Sequence, residues 1–287
     1  MVANKRALVL ATCFLSGTAS ILSLISLGTT GWIYSDIKLG SVESKPNSHI
    51  NYGLFKGTFS QTVGVTANID ISMACSYGNN ICAALCSGDS DRRSAILEQL
   101  HDNGETDWRM SECVRTTSQS YLMRKSTEFY FNFLKLNAKS GELIFINAFA
   151  YLFTIIFLIL SAVIGLISSG LSVWNTASNP IEIYFNIFGL YLYNGIAFGF
   201  LLISVLIWGI VYFTSLIESS ASIVVLSGLG TTVNVSLGWS YWINFGSLIL
   251  YATSIAVLYF RSYQISKEPT QHKIEMDGNA PAEILLF

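Results

Sequence analysis

Residues 7–27, with the sequence ALVLATCFLSGTASILSLISL, contain no charged side chain along 21 positions. Since a helix rises about 1.5 Å per residue, this length crosses a hydrocarbon core of about 30 Å. Its apolar stretch is longer than the roughly 7–15 residues of a cleaved signal peptide, which favours a span that the protein retains. The whole chain agrees with a membrane protein, because 52% of its residues are hydrophobic and only 12% are charged.

Three further, almost uncharged runs predict three more spans. We therefore expect an all-α membrane protein built as a four-transmembrane-helix bundle. The third span, at about 35 residues, is longer than a bilayer requires and must tilt or project from it. The four predicted spans are residues 7–27, 142–167, 183–217 and 237–260.

The basic residues beside the spans predict that both termini are cytoplasmic. Residues 1–6 and 261–287 contain Lys5, Arg6, Arg261, Lys267 and Lys273. Residues 218–236 contain neither Lys nor Arg, and basic residues collect on the cytoplasmic side of short loops. Residues 168–182 are then a cytoplasmic loop, and residues 28–141 and 218–236 are extracellular.

The long outer loop, residues 28–141, holds 22 of the 34 charged side chains and is large enough for a small domain. Alternating apolar and polar residues at 50–59 and 62–66 predict strands. Asp89 or Ser90 is expected to begin a helix with an apolar patch. The aromatic run at 129–133 fits an interfacial belt, and it fits equally a docking surface for a partner.

Four cysteines of this loop, Cys75, Cys82, Cys86 and Cys113, predict two disulfides on the non-cytoplasmic side. The three possible pairings are open. The alternative is a zinc site at Cys82-x3-Cys86, but a lone pair of this spacing has no companion His pair. The fifth cysteine, Cys13, lies in the first span.

Two short motifs lie outside the spans. Asn234-Val235-Ser236 is an N-glycosylation sequon that the predicted topology places outside the cell. It lies close to the fourth span, so its occupancy stays open. At the other motif, Phe287 carries a free carboxylate and an apolar Leu285 precedes it by two residues. This pattern fits a PDZ domain, which adds such a peptide as a strand.

The residues that the spans lack restrict the function. Apart from Glu side chains at their ends, the spans contain no Lys, Arg, His, Asp or Glu, and such residues mark ion and proton paths. The histidines, His49, His101 and His272, lie outside the spans and complete no catalytic, cofactor-binding or metal-binding constellation. We expect no enzyme, no cofactor and no metal, and a net charge of −2 gives no basic surface for nucleic acid.

Small and polar residues within the spans predict helix contacts. Gly195-x3-Gly199 forms a face that lets helices approach closely, either inside the bundle or against another membrane protein. Asn147, Asn186 and Asn194 are expected to hydrogen-bond between helices, at about 0.6–2 kcal/mol each.

Several motifs resemble the clarins, a family within the claudin and peripheral myelin protein superfamily. The first is Leu27-Gly28-Thr29-Thr30-Gly31-Trp32-Ile33 at the end of the first span. The second is Tyr52-Gly53-Leu54-Phe55-Lys56-Gly57, which matches the clarin Tyr-Gly-Leu-Phe-x-Gly. The third is Asn175 to Pro180, followed by Gly189-Leu190-Tyr191-Leu192 in the third span. The close cysteine pair of claudins is absent, and the resemblance does not extend over residues 58–139.

The resemblance implies a claudin-like left-handed bundle with a small extracellular β-sheet and a disulfide-stapled first outer loop. It also implies a non-enzymatic plasma-membrane protein of sensory cells, which organises specialised membrane through protein contacts. Bilayer lipid, a membrane protein and a PDZ scaffold bound by Leu285 and Phe287 are then the expected partners. Two alternatives are an auxiliary subunit that modulates an ion channel and a claudin-like barrier protein, and the missing cysteine pair counts against the barrier.

Overall fold

A computed structural model describes residues 2–37, 48–63, 65–85, 89–103, 145–177, 184–217 and 233–267. Within these ranges the helices are α1 (Val2–Gly28), α2 (Ser90–Asn103), α3 (Ala148–Ala177), α4 (Ile187–Val211) and α5 (Trp239–Ser266). A π-helical segment, Tyr212–Leu216, continues α4. The strands are β1 (Ile33–Ile37), β2 (Ser48–Tyr52), β3 (Lys56–Val63), β4 (Val65–Ser76), β5 (Ile81–Leu85), β6 (Ile146–Asn147) and β7 (Val233–Leu237).

Four helices of the described chain are long and apolar enough to cross a membrane: Arg6–Gly28, Ala148–Ala177, Ile187–Leu216 and Trp239–Ser266. This confirms the four-span bundle that the apolar runs predict. The second helix differs at both ends from the predicted span at 142–167. It begins later because β6 precedes it, and it continues further because residues 168–177 remain helical.

In each span, one series of buried positions recurs at alternating steps of three and four residues, which is the 3.5-residue period of a left-handed supercoil. In α1 these positions are Val9, Thr12, Ser16, Ala19, Ser23 and Ser26. In α3 they are Tyr151, Thr154, Leu158, Ser161, Gly165, Ser168, Ser172 and Asn175. In α4 they are Leu190, Asn194, Ala197, Leu201, Ser204, Trp208 and Val211. In α5 they are Ser240, Asn244, Ser247, Tyr251, Ser254 and Leu258.

The helices pack in a ring. Helix α1 contacts α3 and α5, and α4 contacts α3 and, less extensively, α5. Many of the buried positions carry serine, threonine or asparagine. The interior of the bundle is therefore polar as well as closely packed.

At one end of the bundle lies an antiparallel sheet of seven strands in the order β6-β5-β4-β3-β2-β1-β7. Strands are confirmed at residues 50–52 and 56–59 of the first alternating run, and at the described residues of the second, 62–63 and 65–66. Residues 53–55 of the first run lie between β2 and β3 instead. The expected all-α class with a small sheet understates it, since β1, β5, β6 and β7 extend the sheet beyond those runs. The two edge strands each lead directly into a span, β6 into α3 and β7 into α5.

The predicted helix after Asp89 is confirmed as α2. The carboxylate of Asp89 accepts a hydrogen bond from the backbone N–H of Asp91 at 3.3 Å, as expected of an N-cap. The side chains of Ile96, Leu97 and Leu100 in α2 are buried in a cluster with residues of β4 and β5. This second, smaller core fixes α2 to the sheet.

The turn between β4 and β5 holds the start of α3. Cys75 and Cys82 face each other across these strands and form a disulfide. In the turn, Asn80 has a positive φ of 55°. Its carbonyl accepts from Ala148 N at 3.3 Å, and its side chain accepts from Phe149 N at 3.1 Å. The disulfide hairpin thus supplies acceptors for N–H groups that a helix start leaves without partners.

The Cys75–Cys82 bond confirms a disulfide for this pair of cysteines only. Because Cys82 is bonded to Cys75, it does not join Cys86 as a zinc ligand. Cys86 and Cys113 lie outside the described residues, so a second disulfide stays a prediction.

Trp32 joins the sheet to the bundle. Its side chain is completely buried and packs edge-on against Trp208 and Tyr241, with ring centroids 5.3 and 6.2 Å away. Its indole Nε1–H donates to the carbonyl of Ser26 at 2.6 Å. One side chain therefore contacts residues of α1, α4 and α5.

We predict that Trp32→Ala lowers the free energy of unfolding by about 3–5 kcal/mol, because it leaves a large cavity at this junction. Trp32→Phe keeps most of the ring and loses the hydrogen bond, so its effect is expected to be about 1–2 kcal/mol. Thermal unfolding of the purified protein in detergent measures both. The control is Trp242→Ala, since Trp242 is 56% exposed on the outside of α5. Equal losses for Trp32→Ala and Trp242→Ala would contradict the role of Trp32.

Candidate functional site

The clarin-like motif forms the turn between β2 and β3, and this turn docks on the bundle. Tyr52 and Leu54 are buried, whereas Phe55 is 46% exposed. A Cβ atom at Gly53 would overlap the carbonyl of Thr29, just beyond α1. The hydroxyl of Tyr151 in α3 donates to the carbonyl of Leu54. The motif thus attaches the sheet to two spans.

Two other motif residues have structural roles. The hydroxyl of Tyr52 is fully buried, makes no hydrogen bond to any described residue, and has its pKa raised by that burial. Tyr52 therefore stays neutral at physiological pH. A Cβ atom at Gly57 would overlap the carbonyl of Asn51 on the neighbouring strand, so only glycine fits there.

A layer of hydrogen bonds in the middle of the bundle joins all four spans. The hydroxyl of Tyr251 in α5 lies 2.9 Å from Ser20 Oγ of α1 and 3.3 Å from the carbonyl of Ser161 in α3. The Ser161 hydroxyl in turn donates to the carbonyl of Ala197 in α4 at 2.7 Å. Gly165 makes room for this layer, because a Cβ there would overlap both the Tyr251 hydroxyl and Ser20 Oγ.

Two asparagines repeat one arrangement on opposite sides of this middle layer. The amide of Asn194 donates to Ser168 Oγ at 2.7 Å and to the carbonyl of Leu190 at 2.8 Å. The amide of Asn244 donates to Ser26 Oγ at 2.7 Å and to the carbonyl of Ser240 at 3.0 Å. Each therefore ties its own helix to a neighbouring one. Neither side-chain oxygen, Asn194 Oδ1 or Asn244 Oδ1, has a hydrogen-bond partner among the described residues.

The predicted interhelical role holds for Asn194 and is wrong for the other two asparagines. Asn147 accepts from Ala150 N, and Asn186 accepts from Ile187 N, so both cap the helices that they precede. Their position directly before an apolar run is the N-cap signature that could have identified them. Asn244 and the buried serines are neutral, so an inspection of the spans for charged residues does not find them. Their three- and four-residue spacing is the signal that finds them.

Gly195 and Gly199 do not pack inside the bundle. They lie on the outer side of α4, where an added Cβ would meet no described atom within 4 Å. Leu206 and Ile210 share this side and are 56% and 62% exposed. The interpretation that this face packs against the protein's own helices is therefore wrong, and contact with another membrane protein stays a prediction.

Other predicted positions lie on the sheet or outside the described residues. Asn234 is exposed on β7, directly opposite Asp36 of β1, so its side chain is accessible to modification. Its occupancy stays a prediction. The aromatic run at 129–133 and the tail residues Leu285 and Phe287 fall outside the described ranges.

Two described histidines each pair with an aspartate. His49 Nδ1 lies 2.6 Å from Asp36 Oδ1 across β1 and β2, and His101 Nδ1 lies 3.1 Å from Asp102 Oδ1 in α2. All four side chains are largely exposed. Among the described residues, three or more His, Cys, Asp or Glu side chains never come together in a way that could hold a metal ion. The described spans form a helix bundle held by neutral polar contacts.

Comparison with known proteins gives one full-length similarity. No family model matches the chain. The human protein Clarin-3 is 22% identical to it over an alignment of 291 residues, which covers all of both chains.

We predict that Gly165→Ala lowers the free energy of unfolding by about 1–3 kcal/mol, because the added methyl group overpacks the middle layer. Gly195→Ala is the matched control. It meets open space, and alanine favours a helix over glycine by up to about 1 kcal/mol, so stability is expected to stay equal or to rise. Thermal unfolding in detergent or nanodiscs measures both variants.

A second substitution tests the cause of that loss. Tyr251→Phe removes the hydroxyl that the new methyl group would meet, so Gly165→Ala should cost less in the Tyr251→Phe background than in the natural chain. Equal costs in both backgrounds would show that contact with Tyr251 is not the reason for the loss.

Proposed function

We propose that this tetraspan membrane protein is a non-catalytic organiser of specialised plasma membrane. The full-length similarity to Clarin-3 supports a divergent member of the clarin family. The clarin resemblance implies that this membrane belongs to sensory cells. Both termini are cytoplasmic and the sheet is extracellular. The bundle binds a second membrane protein through its outer side. The C-terminal residues Leu285 and Phe287 bind a PDZ scaffold.

The observation that carries this proposal is the outward position of Gly195 and Gly199. Within a bilayer, helices associate through close van der Waals packing at small residues, because lipid gives no hydrophobic drive between them. The described spans place no atom within 4 Å of a Cβ added at either glycine. The bulkier Leu206 and Ile210 continue it toward the sheet, so a partner helix would cross α4 at the glycines and pack along these side chains.

The first test replaces both glycines, Gly195→Leu with Gly199→Leu, in a protein that carries an N-terminal affinity tag. We predict that the membrane proteins which co-purify with the natural chain are lost, because leucine side chains keep a partner helix at a distance. Expression and thermal stability should not fall, since both positions meet open space. The matched control is Gly170→Leu, at another exposed helix position with no described atom within 4 Å.

The outcomes of this test separate the candidate functions. An unchanged set of co-purifying proteins would contradict the proposed face. Recovery of an ion channel in a fixed ratio, lost in the double variant, would replace the organiser by an auxiliary subunit that modulates the channel.

The second test concerns the tail. We predict that deletion of residues 285–287 displaces the protein from its specialised membrane region while its thermal stability stays unchanged. A PDZ domain reads the last residue and the one two before it, so Leu286→Ala is the control and should remain localised. Normal localisation of the truncated chain, measured by fluorescence microscopy, would contradict the scaffold role.

A further inference from the structure

Four buried polar side chains, one from each span, lie at one level of the bundle. They are Ser16 of α1, Ser168 of α3, Asn194 of α4 and Ser254 of α5, and all four are completely buried. This level lies on the side of the middle layer that faces away from the sheet.

The contacts between spans establish that level. Ser20 of α1 and Tyr251 of α5 are in contact at 2.9 Å, and Ser16 and Ser254 each follow this pair by about one turn in the direction away from the sheet. On the neighbouring side, Gly17 of α1 lies against Ser169 of α3, whose Oγ would be 3.0 Å from an added Cβ.

The fourth member is placed by a direct bond. Asn194 of α4 reaches Ser168 of α3 with a hydrogen bond of 2.7 Å. Ser168 is next to Ser169 and Ser16 is next to Gly17 in their helices, so all four side chains lie within about one helical turn of one another along the axis.

Within this group, one side chain lacks a hydrogen-bond donor and another lacks an acceptor. Asn194 uses its amide N–H groups on Ser168 Oγ and the Leu190 carbonyl, and its Oδ1 has no partner among the described residues. Ser254 Oγ also has none. One group thus needs a donor, and the other offers a donor. Ser16 donates to the carbonyl of Thr12 at 2.7 Å and retains free lone pairs.

We propose that this level binds one water molecule on the bundle axis. The water donates one hydrogen to Asn194 Oδ1 and accepts the hydroxyl hydrogen of Ser254. Its second hydrogen points to the lone pairs of Ser16. Buried waters in proteins make about three hydrogen bonds of this kind to polar groups that otherwise have no partner.

The neutral lining of this position selects water over an ion. The spans contain no charged side chain within residues 7–28, 148–177, 187–216 and 239–260. A cation here would therefore be a buried charge without a counter-ion, which is strongly unfavourable. Water satisfies the same oxygen atoms without that cost.

The sign of one stability change tests the site. If water bridges the group, Ser254→Ala removes one of its partners and should lower the Tm by roughly 2–4 °C. If no water is bound, the same change deletes a hydroxyl without a partner, and the Tm should stay the same or rise. Thr253→Val is the matched control, because its neighbouring hydroxyl is exposed and bonds only to its own helix at Ile249.

A double-mutant cycle and a direct measurement complete the test. With a shared water, Ser254→Ala and Asn194→Leu together should lower the Tm by less than the sum of the two single shifts. Solid-state NMR in lipid bilayers should show magnetisation transfer from water to the Asn194 side-chain amide, whose signal is assigned by its loss in Asn194→Leu.

Three results would overturn the proposal. They are a Ser254→Ala protein at least as stable as the natural one, additive shifts in the cycle, and no transfer from water to Asn194. A Tm of the natural chain that rises when Na⁺ replaces choline at equal ionic strength would assign the position to a cation instead.

Discussion

A close backbone contact between Gly31 and Gly238, where the sheet meets the bundle, holds both parts in register. The N–H of Gly238 donates to the Trp32 carbonyl at 2.8 Å, and the N–H of Ser240 donates to the Gly31 carbonyl at 2.9 Å. A Cβ at Gly238 would overlap that Gly31 carbonyl. Strand β1 follows α1 and strand β7 precedes α5, so the pairing of these strands also sets how the first and fourth spans lie against each other. A slip of one residue would turn the buried face of the strand outward and would separate Asn244 from Ser26.

The interior of the bundle follows from the absence of a hydrophobic drive between helices in lipid. Spans then associate through small residues and interhelical hydrogen bonds, each worth about 0.6–2 kcal/mol. Both occur here at the positions that a 3.5-residue period brings inward, for example at Gly165 and at the Ser20–Tyr251 contact. Because a hydroxyl finds its partner only in one rotation of the helix, these bonds select that rotation among others that would bury equal area.

Length and apolarity are properties of a single segment, so the sequence predicts the four spans. Local alternation likewise predicts strands β2 and β3. Strand β5 is different because all five of its residues are buried, which removes the alternation, and β6 has only two residues. The glycine pair of α4 likewise does not predict which face of that helix points inward. Two glycines permit close approach wherever they lie, whereas the buried stripe through Asn194 and Ser204 determines which side faces inward.

The hydrogen bonds between the spans favour partner binding over movement of the spans as the function of this fold. Separating the helices would break the layer of hydrogen bonds through Tyr251, Ser161 and Ala197. The polar groups of this layer would then face lipid, which offers no replacement hydrogen bonds. The polar residues of the described spans lie mostly inside, toward one another, whereas the outer surface is apolar and has small residues at Gly195 and Gly199. The proposed partner would then recognise the shape of this outer surface.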